Sequence, residues 1–196
     1  LAVSMAGCAP EVESCPAAEE ETMLEAHALA APVYPEMAQY PDESAYWKED
    51  GSFDDDGFSK VYDAWWTDKR ARNNLQIPDP DGMQHFLRAS IGTILAQGGG
   101  QNLVYSPLNV YMALSMLCEC TDGNSRTQIL KLLGQNDLAS VRAQASALWN
   151  ASYCADGAVT SVLASSLWLR DGTDYVQSTL DTLAKTYYAS TFSGEM

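Results

Sequence analysis

Histidine, positive charge and long apolar runs are all scarce in this 196-residue chain, and each shortage closes off a class of function. The two histidines are His27 and His85. A Ser-His-Asp or Cys-His catalytic arrangement would have to use one of them, and neither has a flanking pattern that supports it. Lys and Arg number 11 against 26 Asp and Glu, a net charge of −15. Phosphate backbones are bound by clustered bases, so nucleic acid is not an expected partner. No stretch approaches the ~20 apolar residues that a membrane-spanning helix needs. Five cysteines (Cys8, Cys15, Cys118, Cys120 and Cys154) are too few and too scattered for a disulfide scaffold. Cys118-Glu119-Cys120 lacks a second pair or a nearby His to complete a tetrahedral metal site. Buried free thiols are expected instead, with no metal and no cofactor.

What charge there is sits at one end. Residues 1–59 hold 14 of the 26 acids and one base, Lys48, whereas the other 137 residues carry 12 acids and 10 bases. An acidic leader thus precedes a nearly neutral body. Leu1 in place of Met, and Met196 directly after the start of a strand, suggest that both ends are cut. Residues 1–8 resemble the end of a signal peptide, and Met5-Ala6-Gly7-Cys8 resembles a bacterial lipobox that would lipidate Cys8. Met5 departs from the usual Leu, Val or Ile, and an ordinary small-residue cleavage site is the alternative. Either way the expected location is extracellular or at a bacterial cell surface, with a membrane reached only through a lipid anchor. Residues 9–33, rich in Ala, Glu and Pro, read as a disordered acidic stalk.

Residues 34–81 form an acidic segment with one helix over 57–72, marked by Phe58, Val61, Tyr62 and Trp65 behind Asp54, Asp55 and Asp56. Ser52, Asp54, Asp56, Gly57 and Asp63 fall at calcium-loop spacing. Positions one, eight and twelve are wrong for an EF-hand, so helix-start aspartates are the better reading. From Gly82 the pattern becomes regular. Met83, Phe86, Leu87, Ile91, Ile94 and Leu95 make a helical stripe to Gln97. A short strand, Leu103–Tyr105, leads to Ser106 as a helix cap and Pro107 in a first turn. Leu108–Cys118 is apolar nearly all round and should be covered on every side. Ser125 with Gln128, Asp137, and Asp174 with Gln177 open three further helices. Residues 158–169 read as one long strand buried on both faces over much of its length, and Ser190–Ser193 as the start of another. The order is that of an α+β fold.

Two blocks resemble the serpin family. Asn102-Leu103-Val104-Tyr105-Ser106-Pro107-Leu108-Asn109-Val110, with Ala113–Leu117 and Gly123–Leu130, is similar to one family signature. Ala164-Ser165-Ser166-Leu167-Trp168-Leu169, followed by Tyr187-Tyr188-Ala189-Ser190-Thr191-Phe192, is similar to a second. Their order and spacing agree over residues 82–196, about the first third to half of a serpin domain. The resemblance implies the N-terminal part of the serpin fold, with several helices around a partial central sheet A. Pro107–Cys118 would be the helix beneath that sheet, with 158–169 its second strand and 190–193 the beginning of its first.

The resemblance also implies a function. Serpins are suicide-type inhibitors: a protease cleaves an exposed reactive loop, becomes acylated, and is carried away as the loop inserts into sheet A. The sheet opens at a region called the shutter. Ser106 matches its serine; Asn109 stands where a second Ser is common, and Ser165 where Asn is common. The implied partner is a serine or cysteine protease, met through a loop beyond Met196, and the complete protein would be a monomer. A non-inhibitory serpin-fold binding or structural protein at the cell surface is the alternative, and the composition of the missing loop hinge would separate the two.

Overall fold

The computed structural model describes residues 25–99 and 101–195. Within them lie six α-helices, a three-stranded sheet and a two-stranded hairpin, an α+β arrangement. Helix α1 (Asp55–Asn73) carries Asp55 and Asp56 in its first turn and Arg70 and Arg72 in its last, matching the helix dipole at both ends. The aspartates at calcium-loop spacing therefore lie at a helix start. Helix α2 (Pro80–Leu95) begins at Asp79, whose carboxylate accepts from Gly82 N. The wholly buried Gln144 fastens that corner by bonding both the N–H and the C=O of Asp79. Met83 and Phe86 enter the core, but Ile91 and Leu95 further along the same stripe are exposed.

Helix α3 (Pro107–Glu119) starts at Ser106, whose hydroxyl accepts from Asn109 N at 3.5 Å. It is not covered on every side. Tyr111, Met112, Ser115, Met116 and Cys118 are buried, while Ala113 and Leu117 are exposed. Helix α4 (Gly123–Leu133) is capped by Asp122 rather than by Ser125, because the Asp122 carboxylate reaches Gly123 N first, at 2.7 Å. It stops at Gly134, where φ is 71° and the Gly82 backbone lies 3.6 Å from where a Cβ would sit. Helix α5 (Leu138–Ser152) has the reciprocal Asp137–Ser140 capping box. Helix α6 (Gln177–Thr186) begins without a side-chain cap; Gln177 bonds Asp181 on its own helix instead of meeting Asp174.

The strands differ most from the sequence reading. Residues 158–169 split in two. Strand β3 (Thr160–Ser161) pairs antiparallel with β2 (Cys154–Ala155), and β4 (Ser165–Arg170) pairs in parallel with β5 (Ala189–Gly194). Between them the Leu163 carbonyl accepts from the Trp149 indole N–H at 3.0 Å, which takes it out of any ladder. Along β4, half-buried and exposed residues alternate, so one face is covered and not two. Leu103–Tyr105 is not a strand: none of the described strands lies beside it, and Val104 is 97% exposed.

The expected stalk also ends sooner than residue 33. Strand β1 (Ala28–Ala30) pairs antiparallel with β5, giving the sheet order β1-β5-β4. Composition measures what a segment can bury by itself. It does not register a waiting sheet edge that supplies the hydrogen bonds. Residues 1–24, including most of the expected stalk and Cys8, lie outside the described residues.

The core lies between α2, α3, α4, α5 and α6, built on Phe86, Tyr111, Met112, Leu133, Trp149 and Leu183. One polar cluster ties three of its helices together. The Glu119 carboxylate takes two 2.7 Å bonds from Arg142 and one of 2.7 Å from the Tyr187 hydroxyl.

Candidate functional site

Helix α3 shows one row of its residues to the sheet. Asn109, Ala113, Met116, Leu117 and Cys120 follow each other at helical spacing along one side of a groove of about 480 Å³. Ala164, Ser165, Ser166 and Leu167, at the start of β4, form the other side. In the order β1-β5-β4, β4 is the last strand among the described residues, so its outer edge has no neighbour there. The site is therefore an apolar trough beside an open parallel edge. Backbone N–H and C=O groups along such an edge accept another strand, and the apolar floor favours one with small or apolar side chains.

The structure brings two of the three residues singled out from sequence into this trough, Asn109 from α3 and Ser165 from β4. Ser106 stands one helical turn before Asn109, and the bond between them is the helix cap itself. Leu117 and Cys120 complete the helical side of the trough and were missed in the sequence. The signal for them was present, since Asn109, Ala113, Met116, Leu117 and Cys120 fall at i, i+4, i+7, i+8 and i+11.

The cysteines do not share one environment. Cys118 is buried, Cys154 half-buried and Cys120 exposed, which corrects the expectation of uniformly buried thiols. Although the Cys120 residue is exposed overall, partial desolvation of its thiol and then the adjacent Glu119 carboxylate push it up, and burial pushes up Cys118, so neither is poised as a nucleophile. Both histidines are exposed, His85 on α2 and His27 just before β1.

The charged centre of the region is Glu119 at the end of α3. Burial favours its neutral form, but the Arg142 and Tyr187 hydrogen bonds and the charges of Arg142 and Arg126 outweigh that and hold the carboxyl below the usual carboxylate range. The same contact with Glu119, added to burial, raises the Tyr187 hydroxyl. An ionised carboxylate thus pins the end of α3 beside the trough.

The profile of the serpin family, described as Serpin (serine protease inhibitor), matches residues 84–195, from the first turns of α2 to the end of β5. That is more than half of the chain, and the chain belongs to the serpin family. Members of this family are generally protease inhibitors rather than enzymes. Comparison with individual curated proteins gives no match.

Proposed function

We propose that this chain supplies the N-terminal part of an exported, single-use inhibitor of a serine or cysteine protease. The observation that supports the reading is the serpin-family match over residues 84–195, with α3 laid along an apolar trough against the start of β4. In this family strand addition to the sheet is the physical basis of the trap. The reactive loop would lie beyond Met196. The protease nucleophile attacks the scissile carbonyl, the peptide bond breaks, and the new amine end departs, leaving an acyl-enzyme. Insertion of the acylated loop as a strand then drags the protease away before water can hydrolyse the ester or thioester. Main-chain hydrogen bonds formed along the new strand drive the movement. Asn109 and Ser165, facing one trough, and Ser106, at the head of its helix, are the residues assigned to the shutter. Their polar side chains supply donors and acceptors that can change partner as the sheet opens.

The test is direct. The complete gene product, mixed with a panel of serine and cysteine proteases, should give with at least one of them a band of summed mass that survives boiling in SDS. Cleavage by every protease with no such band would favour the non-inhibitory reading, a cell-surface binding or structural role on the same fold. In that case the loop hinge should also lack its run of small residues.

Export through a lipid anchor at Cys8 is the proposed setting, resting on Met5–Cys8 and the acidic stretch behind it. Replacing Cys8 by Ala should release the protein into the medium. A Cys8→Ala protein that stays with the membrane contradicts the anchor.

A further inference from the structure

Residues 25–73 precede the family match, yet they are bound to it at two distant places. The first is the outer edge of the sheet. There β1 pairs with β5, Ala28 opposite Phe192 and Ala30 opposite Thr191, and His27 O accepts from Ser193 N at 2.9 Å. Without β1, the β5 edge would present unpaired N–H and C=O groups, the usual template for pairing with another chain. A strand of three residues cannot hold such a place by its own ladder.

The second attachment is better built. Past β1 the chain stacks Tyr34 on Trp149 and sets it at a tilt to Tyr153, at 5.4 and 5.5 Å between ring centroids. It then runs along the β2–β3 hairpin: Gln39 Nε2 donates to Ala155 O at 2.9 Å, and Tyr40 N donates to Asp156 O at 2.6 Å. Helix α1 returns over the same hairpin and brings Lys69 Nζ and Arg72 Nη2 each to 3.8 Å from Asp156 Oδ2. Asp156 is wholly buried, and its other oxygen accepts from Val159 N and Ala158 N. Cys154, bonded by Arg72, and the buried Trp65, under the Lys69 ammonium at 4.4 Å, complete its surroundings. Both cations that face this buried carboxylate come from α1. Lifting α1 away would leave the carboxylate without a counter-charge, which is strongly unfavourable.

We infer that residues 25–73 form a strap that guards the β5 edge against pairing with a second copy of this chain, and that the Asp156–Lys69–Arg72 cluster is the clasp that keeps the strap shut. Asp156 is far from β1 in sequence, yet the clasp governs β1 because Tyr34, Gln39 and Tyr40 join the segment between them to the same helix and hairpin. The inference holds whether or not the protein inhibits a protease.

Hydrogen exchange and size-exclusion chromatography on the complete gene product test it. Asp156→Asn should raise exchange at Ala28–Ala30 and along Ala189–Gly194 at least tenfold, leave helix α4 unchanged, and convert part of the monomer to dimers or larger species. Leu29→Pro, which removes the middle N–H of β1, should expose the β5 edge in the same way. Lys69→Met, at a partly exposed position that tolerates change, should give the same pattern more weakly if Asp156→Asn does not fold. Two results would overturn the inference. One is a loosened α1 with β5 as protected as before and the protein still monomeric. The other is α4 exchanging in step with β5, which would mean general destabilisation and no strap.

Discussion

Tyr188 lies face to face with Trp149, ring centroids 3.6 Å apart and planes 16° apart, while its own backbone is left-handed at φ 51°. It is the one non-glycine residue with positive φ among the described residues. The left-handed region costs an L-residue ~1–2 kcal/mol, which the stacked ring offsets. Trp149 is wholly buried, stacks also on Tyr153, and donates its indole N–H to Leu163 O. One side chain thus links helix α5, the turn before β5, the segment before β4 and, through Tyr34, the strap.

Three substitutions in the complete gene product separate strain from stacking. Trp149→Ala should cost about 4 kcal/mol in denaturant unfolding, the range for deleting a large buried aromatic. Tyr188→Gly should be more stable than Tyr188→Ala by about 1 kcal/mol, because both lose the ring and only glycine relieves the φ. An alanine variant equal to the glycine variant would show that the backbone there is not strained.

Acid should loosen the end of α3. The Glu119 carboxyl is held below the value of a free glutamate, so it contributes stability that is complete above about pH 4.3, its unfolded value, and is lost as pH falls through the lower folded value. Arg142→Met removes its bidentate partner. Stability at neutral pH should fall by about 2 kcal/mol, less than for a fully buried pair because Arg142 is 43% exposed, and the acid midpoint should move to higher pH. Equilibrium unfolding at several pH values checks both, and an unmoved acid midpoint would remove Glu119 from the account.

Chain 1–196 by itself should not behave as a cooperative domain. Ile91, Leu95, Leu103, Val104, Leu117 and Trp168 are all exposed, and the β4 edge is open. Each large apolar side chain left uncovered forgoes ~1.5–3 kcal/mol out of the ~5–15 kcal/mol by which a domain is stable. Helical far-UV circular dichroism, weak near-UV signal, dye binding and association are expected. A sharp melt from a monodisperse monomer would contradict this.

The helices were largely legible in the sequence, because their apolar periodicity and their caps are local. Asp137, Ser106 and Gly134 mark ends that the structure keeps. The caps misread at Ser125 and Asp174 are also informative. At the first, the Asp122 carboxylate accepts the Gly123 N–H and caps the helix before Ser125 can; at the second, Gln177 donates to Asp181 on its own helix. Strands were less legible, since pairing is non-local. Nothing near residue 163 announces that Trp149 will claim its carbonyl, and nothing near Ala28 announces the edge of β5. Of the trough, the polar positions were found through the family resemblance. Leu117 and Cys120 were readable from helix spacing only once one side of α3 was known to face a strand.

The proposed inhibitory function requires a metastable protein whose sheet gains a strand after cleavage. The most direct measurement is the thermal stability of the complete gene product before and after a single proteolytic nick in its exposed loop. Insertion of the cut loop adds a fully hydrogen-bonded strand, so the nicked protein should melt at a markedly higher temperature than the intact one. A melting temperature that stays the same or falls on nicking would mean that no strand is inserted, and the inhibitory account would be wrong.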